Sequence, residues 1–509
     1  MGLATRHKLK VEFGDFQTPL GLARRVASQV AASGFVPASI VEPSCGAGGL
    51  LFAAADQFPS FATALGLEIQ PRHMPAAEER RAGRDDANRI AIAEGDFFAR
   101  DWTVSLAALP DPLLVIGNPP WVTNSELGAI GSSNVPIKSN FQGRSGLDAL
   151  TGKANFDISE AMLLRLIEAL SGRDAVLAML CKTAVARKVL EHGWRKAASI
   201  ASAEMHRIDS IEHFGASVDA CLLTIRFGCV NAQRECRVFP ALGAPAADQT
   251  LGFRNARVLA DAVAYDRWQH LQGEGPYRWR SGIKHDCSDV MELVAVADGL
   301  RTRSGEPLDL EREAVYPMLK ASDLGNGKVP APTRWMIVPQ RTTGEDTSRL
   351  ARIAPNTWAY LTLNGDRLDR RASVIYKGRP RFSVFGIGGY SFAPWKVAIA
   401  GLYKKLNFHV IGPHDEKPVV FDDTCYFVPC RSDREAMIVA SLLNSEQARE
   451  FFSAFIFWDA KRPITVEVLA RLDVSKIAAE LGRLPELLGA IGDNTSTLVP
   501  SQVGSLWAK

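Results

Sequence analysis

Four short stretches carry residue types and spacings that could do chemistry. Residues 42–49 read Glu-Pro-Ser-Cys-Gly-Ala-Gly-Gly, 66–69 Gly-Leu-Glu-Ile, 94–98 Glu-Gly-Asp-Phe-Phe and 115–121 Val-Ile-Gly-Asn-Pro-Pro-Trp. In the first, Glu42 ends an apolar run, and Gly46, Gly48 and Gly49 form a turn through which backbone can approach a ligand closely at a helix N-terminus. Glu68 closes the second run, placed to bind the two hydroxyls of a ribose. Asp96 closes the third, where a carboxylate can accept from an adenine amino group beside the ring of Phe97. In the fourth, proline lacks a backbone N–H and biases the residue before it away from helix, so Asn118-Pro119-Pro120 leaves a strand as an extended, stiffened turn. That turn aims two acceptors, the Asn118 side-chain carbonyl and the Pro119 backbone carbonyl. With neither a G-x-G-x-x-G pattern nor a phosphate-loop lysine present, a nucleoside with a small charged appendage fits better than a dinucleotide or a triphosphate.

The elements that must position these groups alternate short apolar runs with helical patterns, the signature of a wound, largely parallel sheet. Strands are predicted at 39–44, 63–69, 89–96 and 113–120, with a helix at 48–58. A Gly-, Ser- and Asn-rich connection (122–155) precedes a helix at 157–172, a strand at 174–183 and a basic helix near 184–202. Residues 207–214 and 219–227 leave no room for a helix between them and are expected to pair antiparallel at the sheet edge. In such open sheets ligands bind outside the carboxyl ends of the strands, where the acidic and glycine residues fall. Residues 236–275 are expected to be a connector, Pro- and Ala-rich with little period. From 276 onward short strands mix with one helix of clear period, 434–455. The polar tail from 490 reads as loosely held.

Bulk numbers bound the rest. A chain of 509 residues exceeds what one core usually supports, so two domains are expected. Apolar residues at 47% and charged residues at 23% are ordinary for a globular protein, and no run of about 18 uncharged apolar residues could span a bilayer. The N-terminus lacks the apolar stretch of a signal peptide, so a cytoplasmic location is expected. Eight cysteines (45, 181, 221, 229, 236, 287, 425, 430) form no C-x-x-C pair, and the histidines show no metal-ligand spacing. The cysteines read as reduced core thiols, and no metal is expected. From Arg370 to Val410 the basic residues Arg370, Arg371, Lys377, Arg379, Arg381, Lys396, Lys404 and Lys405 meet no acidic one, and Tyr376, Phe382, Phe385, Tyr390, Phe392, Trp395, Tyr403 and Phe408 are interleaved. That run is read as a surface facing a polyanion.

The ordered set FGDFQTP, EPSCGAGG, LEIQP, GDFF and NPPW resembles the motif series of the gamma class of N6-adenine DNA methyltransferases of restriction-modification systems, which use S-adenosylmethionine. The resemblance covers residues 11–230 closely and the C-terminal region more loosely, through YSFAPWKVAIAGLYKKLNF, FDDTCYFVP and SLLNS. It implies an α/β, Rossmann-like catalytic domain (1–235) and a mixed α+β target-recognition domain (276–509) acting on double-stranded DNA. It also implies a cofactor site of Thr18, Pro19, Glu42, Pro43, Cys45, Gly46, Gly48, Glu68, Ile69, Asp96, Phe97 and Asn118. Thr18 and Pro19 match the motif that packs over the methionine end. Catalysis falls to Asn118, Pro119, Pro120 and Trp121. The amine of a nucleobase has its lone pair delocalised into the ring, and two acceptors on its N–H bonds draw the nitrogen toward a tetrahedral, nucleophilic shape. The base must leave the duplex to reach them, and Trp121 and Phe214 are expected to sandwich it. Arg371, Lys377, Arg379, Arg381, Lys396, Lys404 and Lys405 are expected to contact DNA. Glu42 has a second reading, as a charge capping the following helix.

Two alternatives stay open from sequence. The same acceptors serve the N4 amine of cytosine, and Trp in place of the commoner Tyr or Phe departs from the adenine pattern, although Asn rather than Ser as its first residue favours adenine. A non-catalytic recognition protein on a methyltransferase fold is the other. A separate cognate restriction endonuclease is the partner that the resemblance suggests.

Overall fold

The computed structural model describes residues 17–122 and 157–492, apart from 230, 232, 328 and 330. The glycine-rich connection beyond residue 122, the first part of the FGDFQTP motif and the tail beyond 492 lie outside the described residues. The chain divides into two compact units, Met1–Ala262 and Val263–Lys509.

The first unit is built on strands β1 (Ser39–Glu42), β2 (Thr63–Glu68), β3 (Ile90–Glu94), β4 (Leu113–Gly117), β5 (Ala175–Lys182), β6 (Ile200–Ile208), β7 (Ala220–Phe227), β8 (Glu235–Phe239), β9 (Gln249–Arg254) and β10 (Arg257–Leu259). They form one ten-stranded sheet in the order β10-β9-β8-β6-β7-β5-β4-β1-β2-β3. Strands β3, β2, β1, β4 and β5 run parallel, in register Glu42 to Gly66, Glu68 to Glu94 and Val41 to Val115. Every residue of β1 and β4 is buried, as expected for strands covered on both faces. Helix α1 (Leu20–Ala32) begins after Pro19 and turns Leu22, Ala23, Val26, Ala27 and Val30 inward. It packs with α2 (Gly49–Gln57) against the sheet, in a core shared with Ile40, Leu114 and Ile116.

The structure differs from the sequence reading at three places in this unit. Residues 210–214 form a short helix, α3, because Asp209 accepts from the amides of Ile211 and Glu212 and Gly215 ends the turn at a φ of 65°. The strand that pairs antiparallel with β7 is Ile200–Ile208 rather than 207–214, taking residues from the end of the expected helix 184–202, and β7 inserts between β5 and β6 while β8 to β10 extend the sheet, so the pair lies inside it. The supposed connector 236–275 therefore supplies sheet strands up to Leu259, and the unit boundary falls at Ala262. These strands are short and mix polar with apolar residues without strict alternation, so they carry too weak a period to read.

The second unit holds a six-stranded sheet and a four-stranded sheet. The latter pairs Arg280–Ser281, Cys425–Cys430, Trp395–Ala400 and His409–Ile411. The expected helix 434–455 is two, Asp433–Leu443 and Glu446–Ser453. Ser445 Oγ accepts from the Ala448 amide, and the Asn444 side chain bonds both backbone groups of Phe408, so these short polar side chains compete with the helix. Among the described residues all cysteines are free thiols, and Cys229 is exposed rather than core.

Candidate active site

Going outward from β1, the next strand on one side is β2 and on the other β4, so the chain order reverses there. The crevice at the carboxyl ends of these strands is the natural ligand position of such a sheet. An open cleft lies there. Its polar rim is Ser44, Glu68 and Asp96, and its walls include Ile69, Phe97, Phe98, Pro120, Ile158 and Met162.

The glycine turn is shaped by close approach. Gly46 has a φ of 53° and lies so near Gln17 that a Cβ would stand 2.5 Å from its Oε1. Gly48 has a φ of 78° and would drive a Cβ into the Phe52 ring. Ala47 N–H donates to Gln17 Oε1 at 3.2 Å, which ties the residue beside Thr18 and Pro19 to the turn. Glu68 braces the turn from β2: its Oε2 accepts from Gly46 N–H and its Oε1 from Gln70 N–H, both at 2.7 Å. Each carboxylate oxygen keeps a second lone pair, so Glu68 can still receive hydroxyls. Asp96 Oδ1 accepts from Phe98 N–H at 2.8 Å and starts a 3-10 turn that presents Phe97 and Phe98 to the cleft. Phe97 is fixed by Trp102, with ring centroids 4.9 Å apart, and Arg165 lies 5.0 Å from the Phe98 ring.

The corner formed by Asn118 and the prolines after it sits beside this cleft. Asn118 Nδ2 donates to Thr18 Oγ1 at 3.3 Å, so two motifs a hundred residues apart meet and set which way the amide turns. Pro120 and Val122 line the cleft. Val122 carbonyl accepts from Ile158 N–H at 3.0 Å, where the next helix, Ile158–Leu170, starts under its Asp157 cap.

Several expected residues stand elsewhere. Glu42 is only 3% exposed, and its Oε2 accepts from Leu51 N–H at 2.7 Å in the first turn of α2, so the capping reading describes its side chain. Burial, and secondarily the charge of Glu68, push its carboxyl well above the usual carboxylate range. Cys45 is buried against Gly66, with its thiol pushed up by burial. These two act behind the cleft, in contrast to Pro43, Glu68, Ile69, Asp96 and Phe97, which line it. Trp121 and Phe214, at 6% and 8% exposure, belong to the core cluster and touch edge to face, with centroids 5.1 Å and planes 70° apart. No slot for a base lies between them, so the expected sandwich is not formed in this structure.

The basic run also divides. Lys396 is 1% exposed and donates through Nζ to the carbonyls of Ala393 and Val419; burial lowers its pKa to about 7. Arg371 is spent on the carbonyls of Leu368, His285 and Ser383 and on the Tyr376 ring. Arg381 pairs with Asp369 at 2.9 Å. The exposed Lys377, Arg379, Lys404 and Lys405 form no ion pair among the described residues. Phe382, Tyr390 and Phe408 are core. Sequence reasoning missed Ser44, Phe98, Ile158 and Met162. The first two sit inside motifs already noticed; the last two carry no local signal, because only the fold returns that helix to the cleft.

A doubly wound sheet with an acidic, glycine-turned and aromatic-walled cleft at its switch point is the architecture of the S-adenosylmethionine-dependent methyltransferases. The residues fit that nucleoside: Ser44 Oγ is buried at the rim with no hydrogen-bond partner among the described residues, next to a carboxylate, Glu68, with acceptor capacity to spare. No family model matches the chain. The type II methyltransferase M.NspV of Nostoc sp. is 42% identical over 472 residues, covering 92% of this chain and 98% of that protein. The chain belongs to that family of type II methyltransferases; it is a DNA methyltransferase of restriction-modification type, with S-adenosylmethionine as methyl donor. Among solved structures, the type IIL restriction-modification enzyme MmeI, determined in complex with DNA, is similar with a TM-score of 0.51 at 12% identity. That match covers 92% of this chain and 65% of MmeI, so the chain spans less than two thirds of MmeI, and the likeness is one of fold.

Proposed function

We propose that this chain methylates the N6 amino group of an adenine turned out of duplex DNA. The observation that carries the reading is the meeting of Asn118 with Thr18 beside the nucleoside cleft. Bound S-adenosylmethionine supplies a methyl group already activated for transfer. Glu68 and Ser44 hold the hydroxyls of its ribose, Asp96 accepts from its adenine amine, and Phe97 and Ile69 cover the ring faces. Thr18 orients the Asn118 amide, whose carbonyl, with that of Pro119, accepts the two N–H bonds of the target amine and turns its lone pair toward the methyl carbon. Because the prolines fix these acceptors before the base arrives, little reorganisation is needed at the moment of transfer. Trp121 and Phe214 must part, or offer an outer face, for the base to stack.

The first unit carries this chemistry, and the second grips the duplex and reads sequence. A separate endonuclease cutting the same sequence is the expected partner. The N4 amine of cytosine is the second reading, favoured by Trp121 at the fourth motif position. Mass spectrometry of nucleosides from diverse duplex DNA incubated with the enzyme and S-adenosylmethionine tests both. N6-methyladenine is expected; N4-methylcytosine alone replaces the first reading with the second, and no methylated base of either kind removes both.

A further inference from the structure

We propose that the turn at residues 373–381 enters a groove of duplex DNA, with Lys377 and Arg379 on phosphates and Val374 toward the sugar and base edges. The inference rests on the reading that the second unit grips DNA, and names the element that does so. Three features of the turn carry it.

First, it is held from beneath. The Arg371 guanidinium lies 3.7 Å from the Tyr376 ring centroid and bonds three backbone carbonyls, while Tyr376 also donates through its hydroxyl to the Lys284 carbonyl at 3.3 Å and meets Phe385 edge to face. A 3-10 turn at Val374–Tyr376 and a positive φ of 69° at Gly378 fold the chain back on itself. A turn so anchored loses little conformational freedom on binding.

Second, its cations form no ion pair among the described residues. Lys377 is exposed, and Arg379 is exposed with only the Phe385 ring near its guanidinium, at 5.9 Å, whereas Arg371 and Arg381 on either side are spent on carbonyls and a carboxylate of the protein. Third, Val374 is 71% exposed between them and the anchor. A branched aliphatic on a cationic turn gains nothing from water. Against a duplex it meets sugar carbons or a thymine methyl while the flanking charges displace counterions from phosphates.

The test is fluorescence anisotropy of the full chain with a mixed-sequence duplex of about 30 base pairs, titrated across salt. For Lys377→Ala/Arg379→Ala the slope of log affinity against log salt should become shallower by about 1.8, since each lost phosphate contact removes about 0.9. Val374→Ser should weaken binding roughly 5-fold with the slope unchanged, as expected for about 1 kcal/mol of lost apolar burial. All three side chains are exposed, so thermal unfolding should match wild type. A steep wild-type slope left unaltered by the double substitution overturns the inference while leaving the DNA reading intact. So does a slope altered only by Lys404→Ala/Lys405→Ala, or full affinity in Val374→Ser. A wild-type chain without salt-dependent affinity for the duplex overturns the DNA reading itself.

Discussion

In the proposed mechanism Asn118 acts as an acceptor because Thr18 fixes its amide and the following prolines fix its backbone. Asn118→Ala removes an acceptor used only when the target amine is being reshaped, so the transfer rate should fall about 10²- to 10³-fold, as for other preorganised polar groups. Single-turnover methylation measures the rate, and calorimetric titration should show S-adenosylmethionine affinity within a few-fold of wild type. A parallel collapse of cofactor affinity would assign the side chain to binding instead. Lys396 is the opposite case, a charge read as surface that the fold buries without a carboxylate partner. Its folded pKa, about 7, lies below its ordinary value, so between the two the unfolded chain holds a proton that the native chain has lost, and stability rises with pH there. Below that window the cost of the buried charge is fully present. The advantage of Lys396→Met over wild type in urea denaturation should therefore shrink as pH rises from 7 toward 10, by about 1.4 kcal/mol per unit at most. A constant difference would show that Lys396 does not titrate in the window. Carboxylates at strand ends were legible because their positions follow from the sheet's period. The fate of individual cations was not, since a basic residue on a turn and one inside a strand look alike until packing decides.

The β1–α2 junction shows how one element serves another. Glu42 satisfies the Leu51 amide in the first turn of α2, and Gly48 takes a φ of 78° with the Phe52 ring where a Cβ would stand. Glu42→Ala should cost about 1–2 kcal/mol by leaving that amide unsatisfied. Glu42→Gln keeps an acceptor and removes a buried carboxyl whose raised pKa makes the native chain hold a proton that the unfolded chain loses. Wild-type stability therefore falls relative to Glu42→Gln as pH climbs above about 4.3. Gly48→Ala must both adopt left-handed backbone and displace the Phe52 ring, a cost of about 1–3 kcal/mol. Denaturation midpoints at two pH values check all three; wild-type stability in Glu42→Ala would remove the capping role. The parallel half of the sheet was readable because β1, β2, β4 and β5 are short apolar runs ending in turn or acidic residues. Strands β8 to β10 escaped because they lie at one edge of the sheet, where half-exposed strands mix polar with apolar residues. The helix at 210–214 escaped because its single cap, Asp209, sits inside an otherwise strand-like run.

At the scale of the whole chain, each unit holds its own buried cluster: Leu22, Ile40, Leu51, Leu114 and Leu222 in the first, Met318, Met336, Leu361 and Phe382 in the second. Two cores in one chain lead to two cooperative transitions on heating, since a unit with its own core melts as its own packing fails. The nucleoside cleft is built wholly from residues of the first unit. A ligand that binds only native cleft stabilises that unit by mass action, about 2.7 kcal/mol when present at a hundred times its dissociation constant. Scanning calorimetry with saturating S-adenosylmethionine should therefore raise one transition by several degrees and leave the other in place, while a short duplex at low salt should raise the other. The upward-shifted transition should vanish from the cofactor response when Glu68→Ala removes the brace of the glycine turn. Equal movement of both transitions with cofactor alone would mean that the chain melts as a single cooperative body, and the division of labour between a chemical unit and a gripping unit would have to be abandoned.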